Sequence, residues 1–284
     1  MIHRPSIVAG IVATLLAAQP SSGVAAPILL PGSPMTQLPS GSPAQGKVEE
    51  GLKALNADDL PAAEAAFTEA ARVDPGLPAA YIGLAEVAGR QDKPAQVEYW
   101  LQKALSADPK GALTQRIWGR YKFQRGQFGD AETAFKKAVA LDPKSADAHL
   151  NLAENYLLGL KKPKAAEEAY RAAIALDPGS PQGHLGLGAA LAAQGRPDLA
   201  LAEYEAAAKL APTDPKFTHA LARFYASQGK FDLALAALQK TITLAPDFLA
   251  AHIDRGDLYL AKNDLEQAAA AYRAGAKAVK NPAI

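Results

Sequence analysis

The sequence predicts an all-α fold of stacked two-helix units, on three observations. Proline recurs at Pro75, Pro109, Pro143, Pro178, Pro212 and Pro246, at intervals of 34, 34, 35, 34 and 34 residues. A fixed period of that length marks supersecondary units that bury their apolar faces only against one another. Segments such as AEAAFTEAARVDP, AETAFKKAVALDP and AEEAYRAAIALDP place alanine and aromatic residues along one helix face, and each ends at a proline that cannot continue the helix. Alanine supplies 64 of the 284 residues; it favours helix without adding bulk, which lets helices pack closely.

At the start of the chain, His3 and Arg4 are followed by an apolar run of twelve residues, Ile7 to Ala18, and then by the small residues Gly23-Val24-Ala25-Ala26. This is the three-part layout of a secretory signal peptide, placed at residues 1–25. Twelve apolar residues are too few to span ~30 Å of hydrocarbon. No stable membrane insertion is therefore expected after cleavage; an uncleaved N-terminal anchor is the alternative. Residues 26–43 hold five prolines with Gly and Ser, and read as a flexible tether. Within it, Ile28, Leu29 and Leu30 are either a docking motif or remnants beside the cleavage site.

From 44 to 282 the sequence divides into seven repeats, beginning at Ala44, Pro78, Ala112, Ala146, Pro181, Pro215 and Leu249. Each is expected to run helix A, tight turn, helix B, proline. Six repeats place a residue that tolerates left-handed backbone at the same offset: Asp58, Asp92, Gly126, Gly195, Gly229 and Asn263. The fourth has one residue more in its turn, around Gly159 to Lys164, which accounts for the single 35-residue interval. Small slots at Ala63, Ala131, Ala166, Ala200, Ala234 and Ala268 would let helices approach to ~8–10 Å. Lys122 and Arg255 fall on slots that are usually apolar, so their stems are expected to pack while their charges reach water. The last helix is expected to expose Ala270, Ala271, Ala274 and Ala278, either as a harmless wet edge or as a surface for self-association.

The composition excludes several kinds of chemistry. The net charge is +1, and between Arg4 and Lys47 there is no charged residue, so the body is balanced. That argues against a nucleic-acid footprint, which needs a basic excess. With no cysteine, disulfides, thiolate metal sites and thiol catalysis are excluded. His149, His184 and His252 share the fourth position of helix A, and His219 takes the fifth. Equivalent residues in successive repeats lie ~10 Å apart, too far for imidazoles that must each come within ~2 Å of one metal ion. A structural role is expected for them. Gly183, Gly186 and Gly188 resemble a nucleotide loop by letters only, since they fall inside a predicted helix. Acid pairs such as Glu49/Glu50 and Glu167/Glu168 read as solvated helix faces. No HExxH, GxSxG or GxxxxGK[ST] motif occurs, and the chain is read as a non-enzyme without metal or cofactor.

The period and its signature residues resemble the tetratricopeptide repeat. In the third repeat Trp118-Gly119, Lys122, Ala131, Phe135, Ala138 and Pro143 take the expected slots; in the fifth, Leu187-Gly188, Leu191, Ala200, Tyr204, Ala207 and Pro212 do; the seventh has Gly256, Tyr259, Ala268, Tyr272 and Gly275. The resemblance implies a right-handed superhelical solenoid whose A helices line a concave groove. It puts Glu86 and Arg90 of the second repeat in that groove, with Arg116, Arg120, Phe123 and Gln124 of the third. Asp147 and Glu154 of the fourth repeat and Lys216, His219 and Arg223 of the sixth complete the set. Arg116 and Arg120, four apart on one helix face, could hold an acidic segment beside Phe123, or could pair with Glu86, Asp147 and Glu154. The Lys/Asn clamp that some relatives use for a C-terminal carboxylate is not matched, since Val48 and Leu52 take those slots. The implied function is a protein-interaction scaffold binding a peptide or partner protein, in the periplasm or secreted by a bacterium, in envelope assembly or secretion. A polysaccharide- or polymer-handling accessory of an export system is the alternative; the groove positions offer it a single aromatic, Phe123.

Overall fold

The structure is a computed structural model and describes residues 42–280, with side chains to 278; the signal-peptide reading and nearly all of the tether fall outside the described residues. Among these there are fourteen α-helices and no strand. They form two compact units, divided between Asn155 and Tyr156. The amino-terminal unit holds α1 (Pro43–Asn56) and α2 (Leu60–Val73), α3 (Pro78–Arg90) and α4 (Pro94–Ala107), α5 (Ala112–Gln124) and α6 (Phe128–Leu141), then α7 (Ala146–Glu154). The carboxy-terminal unit holds α8 (Pro163–Leu176), α9 (Pro181–Ala193) and α10 (Pro197–Leu210), α11 (Pro215–Ser227) and α12 (Phe231–Leu244), α13 (Leu249–Ala261) and α14 (Leu265–Lys280). Helix A, turn and helix B thus recur as expected. Pro43, assigned to the tether on sequence, instead opens α1: Ser42 caps the helix by accepting from the Gln45 N–H at 3.2 Å, and proline is suited to a first turn whose N–H groups lack intrahelical partners.

The repeat packs through one recurrent contact. The alanine slots Ala63, Ala131, Ala166, Ala200 and Ala234 are fully buried. Beside them lie the large side chains Phe67, Phe135, Tyr170 and Tyr204, also buried. Each ring presses against a glycine. A Cβ on Gly119 would sit 2.6 Å from Phe135, and one on Gly83 would sit 2.4 Å from Phe67. The glycines Gly186 and Gly188, suggestive of a nucleotide loop by letters, do this same work in α9 against Tyr170 and Tyr204. Close approach rather than ligand binding explains them.

The turns follow from backbone geometry. Asp58, Asp92, Gly126, Gly195, Gly229 and Asn263 all have φ between 55° and 73°, the left-handed conformation that ends a helix while its last carbonyls still find donors. In these six repeats the next residue's N–H returns to the carbonyl five residues earlier, as from Gln127 to Lys122 at 2.9 Å and from Arg196 to Leu191 at 3.1 Å. The fourth repeat reaches six residues back, from Lys162 to Tyr156 at 2.7 Å, with Lys161 at φ 54°. Its extra residue is absorbed by a π-turn, Asn155–Gly159, rather than by a looser loop.

Three local expectations are corrected. Lys122 does not extend its charge into water: it is 7% exposed, its ammonium 2.8 Å from Glu98 and 4.4 Å from the centroid of the Trp118 ring. Glu167 is not a solvated acid but is buried, accepting from Gln194 at 2.7 Å and from Arg196 at 2.8 and 3.0 Å. Ala271 is 1% exposed and faces inward, so α14 offers less bare alanine surface than expected. For Lys122 and Glu167 the partner comes from an element remote in sequence.

Candidate functional site

The A helices α3, α5 and α7 of the amino-terminal unit carry the charged face. Glu86 on α3 is 1% exposed and accepts from Arg90 Nε at 3.0 Å; the same guanidinium donates to the Leu55 carbonyl at 2.8 Å and lies 3.4 Å from Asp58. On α5, Arg116 is buried and lies 3.3 Å from Asp147 of α7. Arg120, half-buried, stands in the fields of Glu154, Glu86 and Asp147. Three arginines thus meet three carboxylates on one face. Of the two sequence alternatives, pairing among the groove residues is what the structure displays. Burial lowers both Arg116 and Arg120 from the ordinary arginine value, and Arg116 adds to the effect on Arg120. Burial also raises the Glu154 carboxyl, against the pull of Arg120. Phe123 is half-buried, edge-on to Phe128 at 5.5 Å, and Gln124 is exposed at the helix end.

The carboxy-terminal unit differs. Lys216 is exposed. His219 lies 2.8 Å from Asp254 and edge-on to Phe248 at 5.0 Å, and Arg223 Nε is 3.6 Å from the same aspartate oxygen. Sequence reasoning missed Asp254, which falls one position beyond those assigned to the groove. At the positions of Lys216, His219 and Arg223, helix α9 carries Gln182, Leu185 and Ala189, none of them charged.

Among the described residues the remaining histidines share one task. Nε2 of His149, His184 and His252 lies 3.2, 3.4 and 2.9 Å from the carbonyls of Pro143, Pro178 and Pro246, each six residues earlier. Tyr81 donates to Pro75 in the same way at 3.1 Å. In these four repeats the fourth position of helix A therefore ties the helix to the turn between repeats, and each imidazole does so by donating from Nε2; in His184 the other nitrogen, Nδ1, lies 2.7 Å from a Glu203 carboxylate oxygen. Among the described residues no group of three or more His, Asp or Glu could hold a metal ion, and no helix is long and apolar enough to cross a membrane.

The family model of the tetratricopeptide repeat matches residues 48–112, 118–181, 155–215 and 219–281. The chain belongs to the tetratricopeptide repeat family. Members of this family are generally protein-interaction scaffolds, typically non-catalytic. Among solved structures, the chain is similar to a tetratricopeptide repeat protein from Parabacteroides merdae, at 20% identity over 85% of this chain and 95% of that one, with a TM-score of 0.66. It is similar to PilF of Pseudomonas aeruginosa at 20% identity, covering 75% of this chain and 97% of that one, with a TM-score of 0.64. YrrB, described as a tetratricopeptide repeat protein with an unusual peptide-binding site, is 23% identical over 65% of this chain and 95% of its own, with a TM-score of 0.50. A comparison with curated protein sequences finds no match.

Proposed function

We propose that this tetratricopeptide repeat protein is an exported, non-catalytic scaffold that binds an extended peptide or a partner protein along the charged face of α3, α5 and α7, in envelope assembly or secretion. The observation that carries the reading is the row of three arginines and three carboxylates on consecutive repeats, with Glu86 and Arg116 buried and Asp147 exposed at the edge. Charges held out of water are costly unless their geometry is fixed, and fixed charges of alternating sign discriminate partners by complementarity. The peptide-binding description of YrrB supports the ligand class. Export rests on the layout of residues 1–25.

Because the arginines already face carboxylates, charge reversal would crowd negative groups and confuse loss of binding with loss of folding. The suitable variants are Arg120→Gln and Phe123→Ala. Crosslinking of the chain in its own cell envelope, with mass identification of what is trapped, is expected to recover a protein or peptide. Either variant is expected to weaken its capture about tenfold or more, with helicity and melting midpoint little changed. Undiminished capture by both variants would remove this face as the site, and a chain found only in the cytoplasm would remove the export reading.

A further inference from the structure

A second surface lies outside that face. A cleft of about 330 Å³ opens between α4, α5 and α6, at the small end of the roughly 300–1,000 Å³ common for ligand clefts. Its α5 wall is Gln115, Trp118 and Lys122. At 100° per residue these residues centre roughly 140° around the helix from Arg116, Arg120 and Phe123.

The third repeat departs at this place from four of the others. In the second, fourth, fifth and seventh repeats the fourth position of helix A is tied to the proline carbonyl of the preceding turn by Tyr81, His149, His184 or His252; in the first Lys47 pairs with Glu50, and in the sixth Thr218 bonds to Pro215 and Thr241. Gln115 takes that position here. Its side chain makes no hydrogen bond within the described chain although the residue is only 8% exposed, and it faces the cleft. Its amide is not sealed from solvent, so on the cleft side it is open to a ligand that both accepts and donates. At the seventh and eleventh positions the fifth repeat has Leu187 and Leu191, both buried; the third has Trp118 and Lys122. Apolar contact has been exchanged for a polar recess.

The chemistry of the recess selects a ligand class. Lys122 and Lys137 are matched by Glu98 and Asp130, so neither an anion nor a cation is drawn in by net charge. Trp118 is half-buried, stacked on Tyr121 at 5.7 Å and held by the Lys122 ammonium, which is itself fixed on Glu98. A rigid indole packs well against a face of C–H groups. Gln102 and Gln115 each donate and accept, as neighbouring hydroxyls require. An aromatic platform ringed by amides and balanced charges suits a neutral ring bearing several hydroxyls. We propose that the cleft between α4, α5 and α6 binds a neutral sugar residue of a glycan, with Trp118 as the platform and Gln115 as the buried hydrogen-bonding partner.

The test uses the full chain carrying Trp100→Phe, which leaves Trp118 as the sole tryptophan. Indole fluorescence is followed while glucose, galactose, mannose or N-acetylglucosamine is added. One of them is expected to give a saturable change with half-saturation of order 1–10 mM. Gln115→Leu is expected to weaken it about tenfold or more. Gln102→Ala, at an exposed position where folding is not at risk, is expected to weaken it in the same direction. The proposal is overturned if none of the four sugars produces a saturable change, or if both glutamine variants bind as the parent does. It is equally overturned if sodium phosphate or glycine gives the same saturable change at equal concentration, which would assign the cleft to a charged ligand.

Discussion

The two units share their packing and differ in their charges. In the amino-terminal unit the A helices carry a partly buried mesh of arginines and carboxylates, with Glu86 almost wholly enclosed and Asp147 at its exposed edge. In the carboxy-terminal unit the corresponding face carries exposed Lys216, the His219–Asp254–Arg223 group and the uncharged residues of α9. Two glutamates make the contrast sharper. Glu154 has its carboxyl raised by burial, which Arg120 only partly offsets. Glu167 is also pushed upward by burial, yet hydrogen bonds from Gln194 and Arg196 outweigh it and hold its carboxyl below the ordinary value. One repeat architecture thus supports two electrostatic outcomes, because a repeat constrains which faces pack and leaves open which side chains meet across neighbouring repeats.

The largest test of the contrast is Glu86→Ala. It leaves Arg90 without its buried partner, and a loss of about 3 kcal/mol is expected from the denaturant midpoint. Asp254→Ala removes a partly exposed partner of His219 and Arg223, and is expected to cost only about 1 kcal/mol. Equal losses would abolish the distinction between the units. Between these values lies a pair of substitutions that should not distinguish them. Ala131→Leu and Ala234→Leu fill equivalent closed slots, and each is expected to cost about 1–3 kcal/mol through overpacking. An unchanged melting midpoint in either would show that the register is wrong there.

The smallest effects are in the pH profile. The Glu167 carboxyl is lowered on folding, so its stabilising contribution is present above the unfolded value of about 4.3 and is lost as pH falls through the folded one. The Glu154 carboxyl is raised, so its contribution is complete below about 4.3 and is lost as pH rises through the folded value. Glu167→Gln should therefore flatten the loss of stability on acidification. Glu154→Gln should be tolerated or mildly stabilising at neutral pH and should remove a drift of opposite sign. Denaturant midpoints taken from about pH 3 to 7 would separate the two; superimposable profiles for parent and variants would show that neither carboxyl is perturbed.

Much of the fold was legible because its signals are local and repeated. The left-handed turn residues, the proline stops and the buried alanine slots each follow from one residue's backbone preference or volume, and the structure reproduces them at the same offsets. The candidate site was legible as a set of positions and only in part as a set of pairs. The pairing of Arg116 with Asp147 was one of two readings the sequence left open, and nothing in the order of residues indicates that His219 will meet Asp254, one repeat away. Lys122 and Glu167 were misread for the same reason: a charge is expected in water until an element from another repeat closes over it and supplies a partner.

The sequence by itself determined the number of repeats, their helical halves and the places where the chain must turn, because those depend on steric limits within a few consecutive residues. Only the tertiary structure decided where the fourth repeat stores its extra residue, namely the π-turn Asn155–Gly159. It also decided which charges are neutralised and which polar side chain, Gln115, is left facing an open cleft. Those outcomes depend on distances between repeats, and electrostatic and hydrogen-bonding energies change too steeply with distance to be read from order along the chain.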